Sequence, residues 1–216
     1  MTTGSEKSVD GVTSIRELDQ WIDREGIRYF KVGVFDIDGV MRGKYINREK
    51  LRSAVDKGFG FCDVVLGWDS QDELYAFDRT GAGETKGIEV SGWHTGYSDA
   101  IAQLDLSTLR RIPMEEDTLL LIGSFQGNHA NVCPRTILSR TLDKATAMGF
   151  AVDTAFEYEF FLFDETPDSV REKGYRNLQH FTPGMFGYSV LRSSVHAEFY
   201  HDLLDLMEDF DCAIEG

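Results

Sequence analysis

The segment Ala155-Phe156-Glu157-Tyr158-Glu159-Phe160-Phe161-Leu162-Phe163 constrains this chain more than any other. Its aromatic and aliphatic residues read as a buried strand, yet two carboxylates stand at i and i+2 inside it. On a strand, side chains two apart share a face, with Cα atoms roughly 6.5–7 Å apart by the strand rise, so Glu157 and Glu159 would point into the same space. Two like charges among Phe and Leu need compensation. A hard divalent cation such as Mg²⁺ or Mn²⁺ supplies it, because such ions take carboxylate oxygens. The plainer alternative is an edge strand whose glutamate face is wet, and the pattern alone leaves both open.

Charge narrows the partner classes. A net charge of −15 opposes nucleic acid and anionic membrane surfaces. The excess is uneven: residues 151–216 hold 14 Asp/Glu against 4 Lys/Arg, which is −10 of that total. Much of it reads as solvated helix face, at Asp202, Asp205, Glu208, Asp209 and Asp211. With 42% hydrophobic residues the chain can build a core, while no apolar run approaches the roughly 18 residues of a membrane span. Residues 1–10 are polar and lack the apolar centre of an export signal, so they read as a disordered lead-in to a soluble, cytoplasmic protein. Cys62, Cys133 and Cys212 are odd in number and lack metal-ligand spacing, which predicts reduced thiols.

Local signals outline several elements. Ser14-Ile15-Arg16-Glu17 is a capping-box start to a short amphipathic helix through Leu18, Trp21 and Ile22, stopped by Gly26. Residues 27–37 read as a strand, Asp38-Gly39 as a two-residue hairpin turn, and Met41 to Ile46 as the partner strand. Asn47 caps a helix through Leu51, Ala54 and Val55 that Gly58 closes. Leu119 to Ile122 reads as a buried strand, and Pro134 opens a helix ending before Gly149. Residues 78–96 read as a long loop. Within it Gly81-Ala82-Gly83-Glu84-Thr85-Lys86-Gly87 matches neither a dinucleotide nor a Walker phosphate loop, and is a linker. His94, His129, His180, His196 and His201 are scattered; His196 and His201, five apart, do not share a helix face as a metal pair would. Phe160, Phe161, Phe163 and Phe186 are expected in the core, and Arg135 is expected to pair with carboxylates.

The Glu-x-Glu-Phe-Phe-Leu-Phe run, preceded by Cys133-Pro134-Arg135 at a helix start, resembles the entry to the catalytic domain of the glutamine synthetase family. Upstream, Val34-Phe35-Asp36-Ile37-Asp38-Gly39-Val40-Met41-Arg42-Gly43-Lys44 resembles that family's first hairpin. Tyr97-Ser98-Asp99 with Asp105-Leu106-Ser107-Thr108-Leu109-Arg110-Arg111-Ile112-Pro113 resembles the segment where its small N-terminal domain closes. The resemblance runs from about residue 27 to the end. It implies an α+β chain: a lead-in and helix over 1–26, a β-grasp N-terminal domain over 27–130, and over 131–216 the beginning of a glutamine synthetase-type α/β catalytic domain, truncated because members of the family are roughly twice as long.

The same resemblance implies ATP-dependent condensation of glutamate with ammonia or a primary amine through γ-glutamyl phosphate, with Glu157 and Glu159 as ligands of Mg²⁺ or Mn²⁺. It implies a ring-shaped homo-oligomer in which the N-terminal domain of one subunit completes the site of the next. The family places an aspartate near residue 63 that binds ammonium and helps to deprotonate it. Its usual Asp-Gly-Ser-Ser is replaced here by Asp63-Val64-Val65-Leu66-Gly67-Trp68-Asp69, so either Asp63 or Asp69 is the counterpart, or each is a surface-loop aspartate. A carboxylate beside an aromatic ring suits a cationic amine. Two alternatives are ligation of glutamate to polyamines or ethanolamine, and a truncated family member that assembles without catalysing. Residues 1–216 alone are expected to lack ligase activity.

Overall fold

The computed structural model describes residues 9, 11–75, 90–184, 187–212 and 214–215, with only the backbone described at 77–78 and 85–86. Most of the lead-in and of the glycine-rich stretch 81–87, together with Phe186 and Gly216, lie outside the described residues. The chain is mixed α+β and forms two compact units, Met1–Val152 with Asp209–Ala213, and Asp153–Glu208 with Ile214–Gly216.

In the first unit, helix α1 (Ile15–Glu25) starts at Ser14, whose side chain accepts from the Glu17 amide, and ends at Gly26 in the left-handed region with φ 68°. Glu17 reaches one residue further back than a capping box requires, accepting from the Thr13 amide at 2.8 Å and the Thr13 hydroxyl at 2.9 Å. Strands β1 (Tyr29–Phe35) and β2 (Met41–Ile46) pair antiparallel, Phe35 opposite Met41. Their connection is therefore the five residues 36–40 rather than a two-residue turn. The longer loop closes because the Asp36 carboxylate accepts from the Val40 amide at 2.8 Å. Asn47 caps helix α2 (Arg48–Lys57), and β3 (Phe59–Cys62) follows at once.

After a two-residue pair, β4 (Phe77–Asp78) with β5 (Thr85–Lys86), within the expected long loop, come the long strands β6 (Asp99–Ile112) and β7 (Glu115–Phe125). The sheet order is β2-β1-β7-β6-β3. β1 runs parallel to β7, Tyr29 beside Thr118, and the other pairs are antiparallel. Leu18, Trp21, Ile22, Leu51 and Ala54 from the helices close with Phe30, Val32, Val34, Phe59, Leu119, Leu121 and Phe125 into one core. Asp19 accepts from both Arg48 and Arg52, tying α1 to α2.

Helix α3 (Pro134–Ala147) has proline in its first turn, as expected, but buries no side chain; Ile137 and Leu138 are exposed. Arg135 pairs with Asp105 at 2.5 Å, meeting its expected partner type. All three cysteines are free thiols.

The second unit holds α4 (Pro167–Glu172), α5 (Val190–Val195) and α6 (Ala197–Asp209). Residues 151–162 form no strand, and Phe163 makes a single bridge to His180. Phe160 is 63% exposed and Phe161 72%, and Phe163 is exposed as well, so the expectation that these rings lie in a core is wrong. The cause is the missing ladder: a strand needs a partner for its backbone groups, and among the described residues none runs beside this segment. His196 lies between α5 and α6, stacked on Phe181 with ring centroids 4.2 Å apart, so it does not share a helix with His201. Glu165 gathers Lys173, the Ser169 hydroxyl and the Gln179 amide, each at 2.5 Å.

Gly43 faces Gly33 across the hairpin, and a Cβ on Gly43 would lie 2.5 Å from the Val32 carbonyl oxygen, whereas the close contacts of one on Gly33 are with the movable Met41 side chain, the Arg42 carbonyl oxygen lying at an ordinary 3.6 Å. Gly43→Ala is expected to cost about 1–3 kcal/mol and Gly33→Ala clearly less, read by urea unfolding; equal effects would count against this register. Lys173, Ser169 and the Gln179 amide hold the Glu165 carboxyl down to about 2 from 4.5. A depressed carboxyl stabilises the fold fully above its unfolded value and loses that contribution as pH falls through the folded one. The Gln179 amide resonance should therefore shift with a midpoint near 2; a midpoint near 4.5 would contradict the cluster.

Candidate functional site

Asp63 opens a single 3-10 turn, Asp63–Leu66, directly after β3. Its side chain is 1% exposed. The Ser91 hydroxyl donates to one carboxylate oxygen at 3.3 Å, and His129 Nε2 stands 3.7 Å from the other. The Asp63 amide donates to the Ser98 carbonyl at 3.0 Å, and the Cys62 thiol to the Tyr97 carbonyl at 3.3 Å. Asp63 thus joins three stretches: its own turn, the segment 91–98, and the 3-10 turn Gly127–Asn131 that carries His129. A carboxylate without solvent needs such partners, and these are spent inside the unit.

Asp69 differs. It is half-buried, and its Oδ1 accepts from the amides of Gln71 at 2.8 Å and Glu73 at 3.0 Å, folding the loop onto itself. Its Oδ2 has no hydrogen-bond partner among the described residues. Trp68, beside it, has its ring faced by the Arg42 guanidinium at 5.1 Å. The loop is tied to the β1–β2 connection, since Asp38 accepts from the Ser70 amide at 2.8 Å and from the Tyr75 hydroxyl at 3.3 Å.

Glu157 and Glu159 are exposed in the unpaired segment of the second unit. As hard oxygen donors they fit a divalent cation in chemistry. Two carboxylates do not fill such an ion's coordination shell, and among the described residues no three His, Cys, Asp or Glu side chains converge.

Residues 131–216 match the family profile described as "Glutamine synthetase, catalytic domain". The chain is 37% identical over 191 residues to "Type-1 glutamine synthetase 2" of Dictyostelium discoideum, which covers 87% of this chain and 34% of that protein. It is also 28% identical over 213 residues to "Glutamate--isopropylamine ligase" of a Pseudomonas species, covering 97% of this chain and 44% of that one. The chain belongs to the glutamine synthetase family. Its fold resembles a solved structure titled "Apo GmaS without ligand", with a TM-score of 0.57 and 16% identity over 91% of this chain and 40% of that chain. The chain thus spans less than half the length of these relatives of the family.

Three residues of this region were not singled out from sequence. Ser91 and His129 become partners of Asp63 only through folding, and nothing in their spacing from residue 63 signals it. Arg42 had a signal: Asp36, a carboxylate following Val32-Gly33-Val34-Phe35 in a buried strand, demands a cation nearby, and Arg42 supplies it at 2.8 Å.

The burial of Asp63 yields a stability prediction. Asp63→Ala should cost about 1–3 kcal/mol by stranding the Ser91 hydroxyl and His129, measured by denaturant unfolding of the 216-residue chain. Wild-type stability in that variant would show that the three stretches are not held through this carboxylate.

Proposed function

We propose that this chain is part of a ligase that condenses glutamate with ammonia or a primary amine at the expense of ATP. The observation carrying this reading is family membership together with the Glu157-x-Glu159 pair, exposed within the portion that matches the catalytic domain. In this reading a γ-carboxylate oxygen of glutamate attacks the terminal phosphorus of ATP and ADP leaves. The amine nitrogen then attacks the acyl carbon, phosphate departs, and the amine loses a proton to a carboxylate. Glu157 and Glu159 would hold Mg²⁺ or Mn²⁺, which would neutralise charge on the two anions that must meet. Two carboxylates would leave the other positions of the ion's shell to further oxygen donors.

For the amine, burial favours Asp69 over Asp63. Asp63 is buried and its oxygens face Ser91 and His129, whereas Asp69 keeps one oxygen for a cation or a proton. Residues 27–130 are read as the family's β-grasp domain and 131–216 as the start of its catalytic domain, supported by a profile match that begins at residue 131. A ring-shaped cytoplasmic homo-oligomer with sites between subunits belongs to the same reading. Among the described residues no helix is long and apolar enough to cross a membrane. The similarity to a glutamate–isopropylamine ligase keeps alkylamines beside ammonia as acceptors.

The test is phosphate release by the full gene product with ATP, glutamate and a panel of ammonia, alkylamines, polyamines and ethanolamine. One member of the panel should stimulate release. Glu157→Gln and Glu159→Gln should each lower turnover by about 100-fold or more with unchanged thermal unfolding. Near-full turnover in Glu157→Gln would remove the metal-ligand assignment, and no stimulation by any amine would remove the ligase reading.

A further inference from the structure

Arg42 joins the β1–β2 hairpin to the 67–75 loop within the first unit. Its Nε donates to Asp36 Oδ2 at 2.8 Å, its Nη1 to Asp72 Oδ1 at 2.5 Å and its Nη2 to the Asp69 carbonyl at 3.1 Å, while its guanidinium covers the Trp68 ring. Asp36 has no exposed surface, so the guanidinium is fixed from the sheet side by a charge that cannot be left unpaired. From there it holds the 67–75 loop at Trp68, Asp69 and Asp72. The grip has a conformational counterpart: Asp72 sits at φ 64°, a left-handed conformation uncommon for a residue with a side chain, and its exposed carboxylate is the group Arg42 holds. Lysine could not replace the fork, since a point charge cannot donate in three directions fixed in one plane.

We infer that Arg42 is a positioning residue for the amine: anchored on Asp36, it sets the 67–75 loop so that the Asp69 carboxylate stands ready for the cationic acceptor. The inference rests on the reading of Asp69 as the amine carboxylate. It assigns no contact between Arg42 and any substrate. Its effect is therefore on the amine step, with the binding of ATP and glutamate left alone.

The test compares Asp69→Asn, Arg42→Lys, Arg42→Gln and Asp72→Gly. Glycine at residue 72 keeps the left-handed backbone while removing the held carboxylate, so that variant folds even if loss of the Asp36 partner unfolds Arg42→Gln. Amide hydrogen exchange of the 216-residue chain is read at Gln71, Asp72, Glu73 and Tyr75. Steady-state kinetics of the full gene product are read against amine, ATP and glutamate. The expected result is exchange at least about 10-fold faster at those amides in Arg42→Lys and Asp72→Gly. The amine KM should rise about 5- to 10-fold with the KM for ATP unchanged, and Arg42→Lys should rescue Arg42→Gln only in part. Unchanged exchange, or faster exchange with an unchanged amine KM while Asp69→Asn raises that KM, would overturn the inference. An unchanged amine KM in Asp69→Asn would instead overturn the reading of Asp69 beneath it, and the two failures are thereby told apart.

Discussion

The parallel pairing of β1 with β7 is the contact on which the first unit depends. It joins Tyr29–Gly33 to Thr118–Ile122 across the whole intervening chain, and it fixes where everything between must go. β2 continues from β1 on one side, β6 continues from β7 on the other, and β3 is left to close the far edge beside β6. The helices α1 and α2 then have one apolar face to cover. Closing so distant a pair carries a loop-entropy cost before any contact is made, and the side chains that offset it, Phe30, Val32, Leu119 and Leu121, are among the most deeply buried in the molecule.

Elements with punctuation were legible in the sequence, and those without it were not. Ser14 with Gly26, Asn47 with Gly58, and Pro134 delimit α1, α2 and α3 because a helix end must satisfy its own orphan amides and carbonyls locally, with residues that can be named. The strands β3 and β6 carry no such marks. β6 runs Asp99–Ile112 with a register irregularity between Asp105 and Arg110, so its alternation is interrupted midway and its residues resemble a polar connection. The loop 36–40 departs from the two-residue turn for a similar reason. Asp-Gly is a strong local turn signal, but the Asp36 side chain offers the backbone a different closure, and a buried ion pair with Arg42 holds it.

The carboxylates show where sequence runs out most sharply. Asp63 and Asp69 are six residues apart in a stretch of similar character, and nothing in Val64-Val65-Leu66-Gly67-Trp68 ranks them. Folding ranks them by partner: Asp63 follows a strand and falls against Ser91 and His129 from distant parts of the chain, while Asp69 accepts from the nearby amides of Gln71 and Glu73. Glu157 and Glu159 present the opposite case. Their neighbours' hydrophobicity foretells burial, and the rings are exposed instead, because burial of a strand belongs to the partner strands as much as to its own residues. What the pattern encodes is an affinity for a ladder rather than the ladder itself.

Charge distribution ties these observations together. In the first unit the two buried carboxylates among the described residues each have a cation or a donor, Asp36 with Arg42 and Asp63 with Ser91 and His129 beside it, and the more exposed Asp105 has Arg135. In the second unit, Glu165 is answered by Lys173, while Glu157 and Glu159 are not answered among the described residues. A carboxylate pair that stays solvated costs little where it stands, and it becomes costly once apolar side chains close around it. Any strands that cover Phe156, Phe160 and Phe161 would dehydrate the two glutamates in the same step. On the proposed reading of the pair as metal ligands, completion of the ladder and acquisition of a cation would be coupled, each favouring the other.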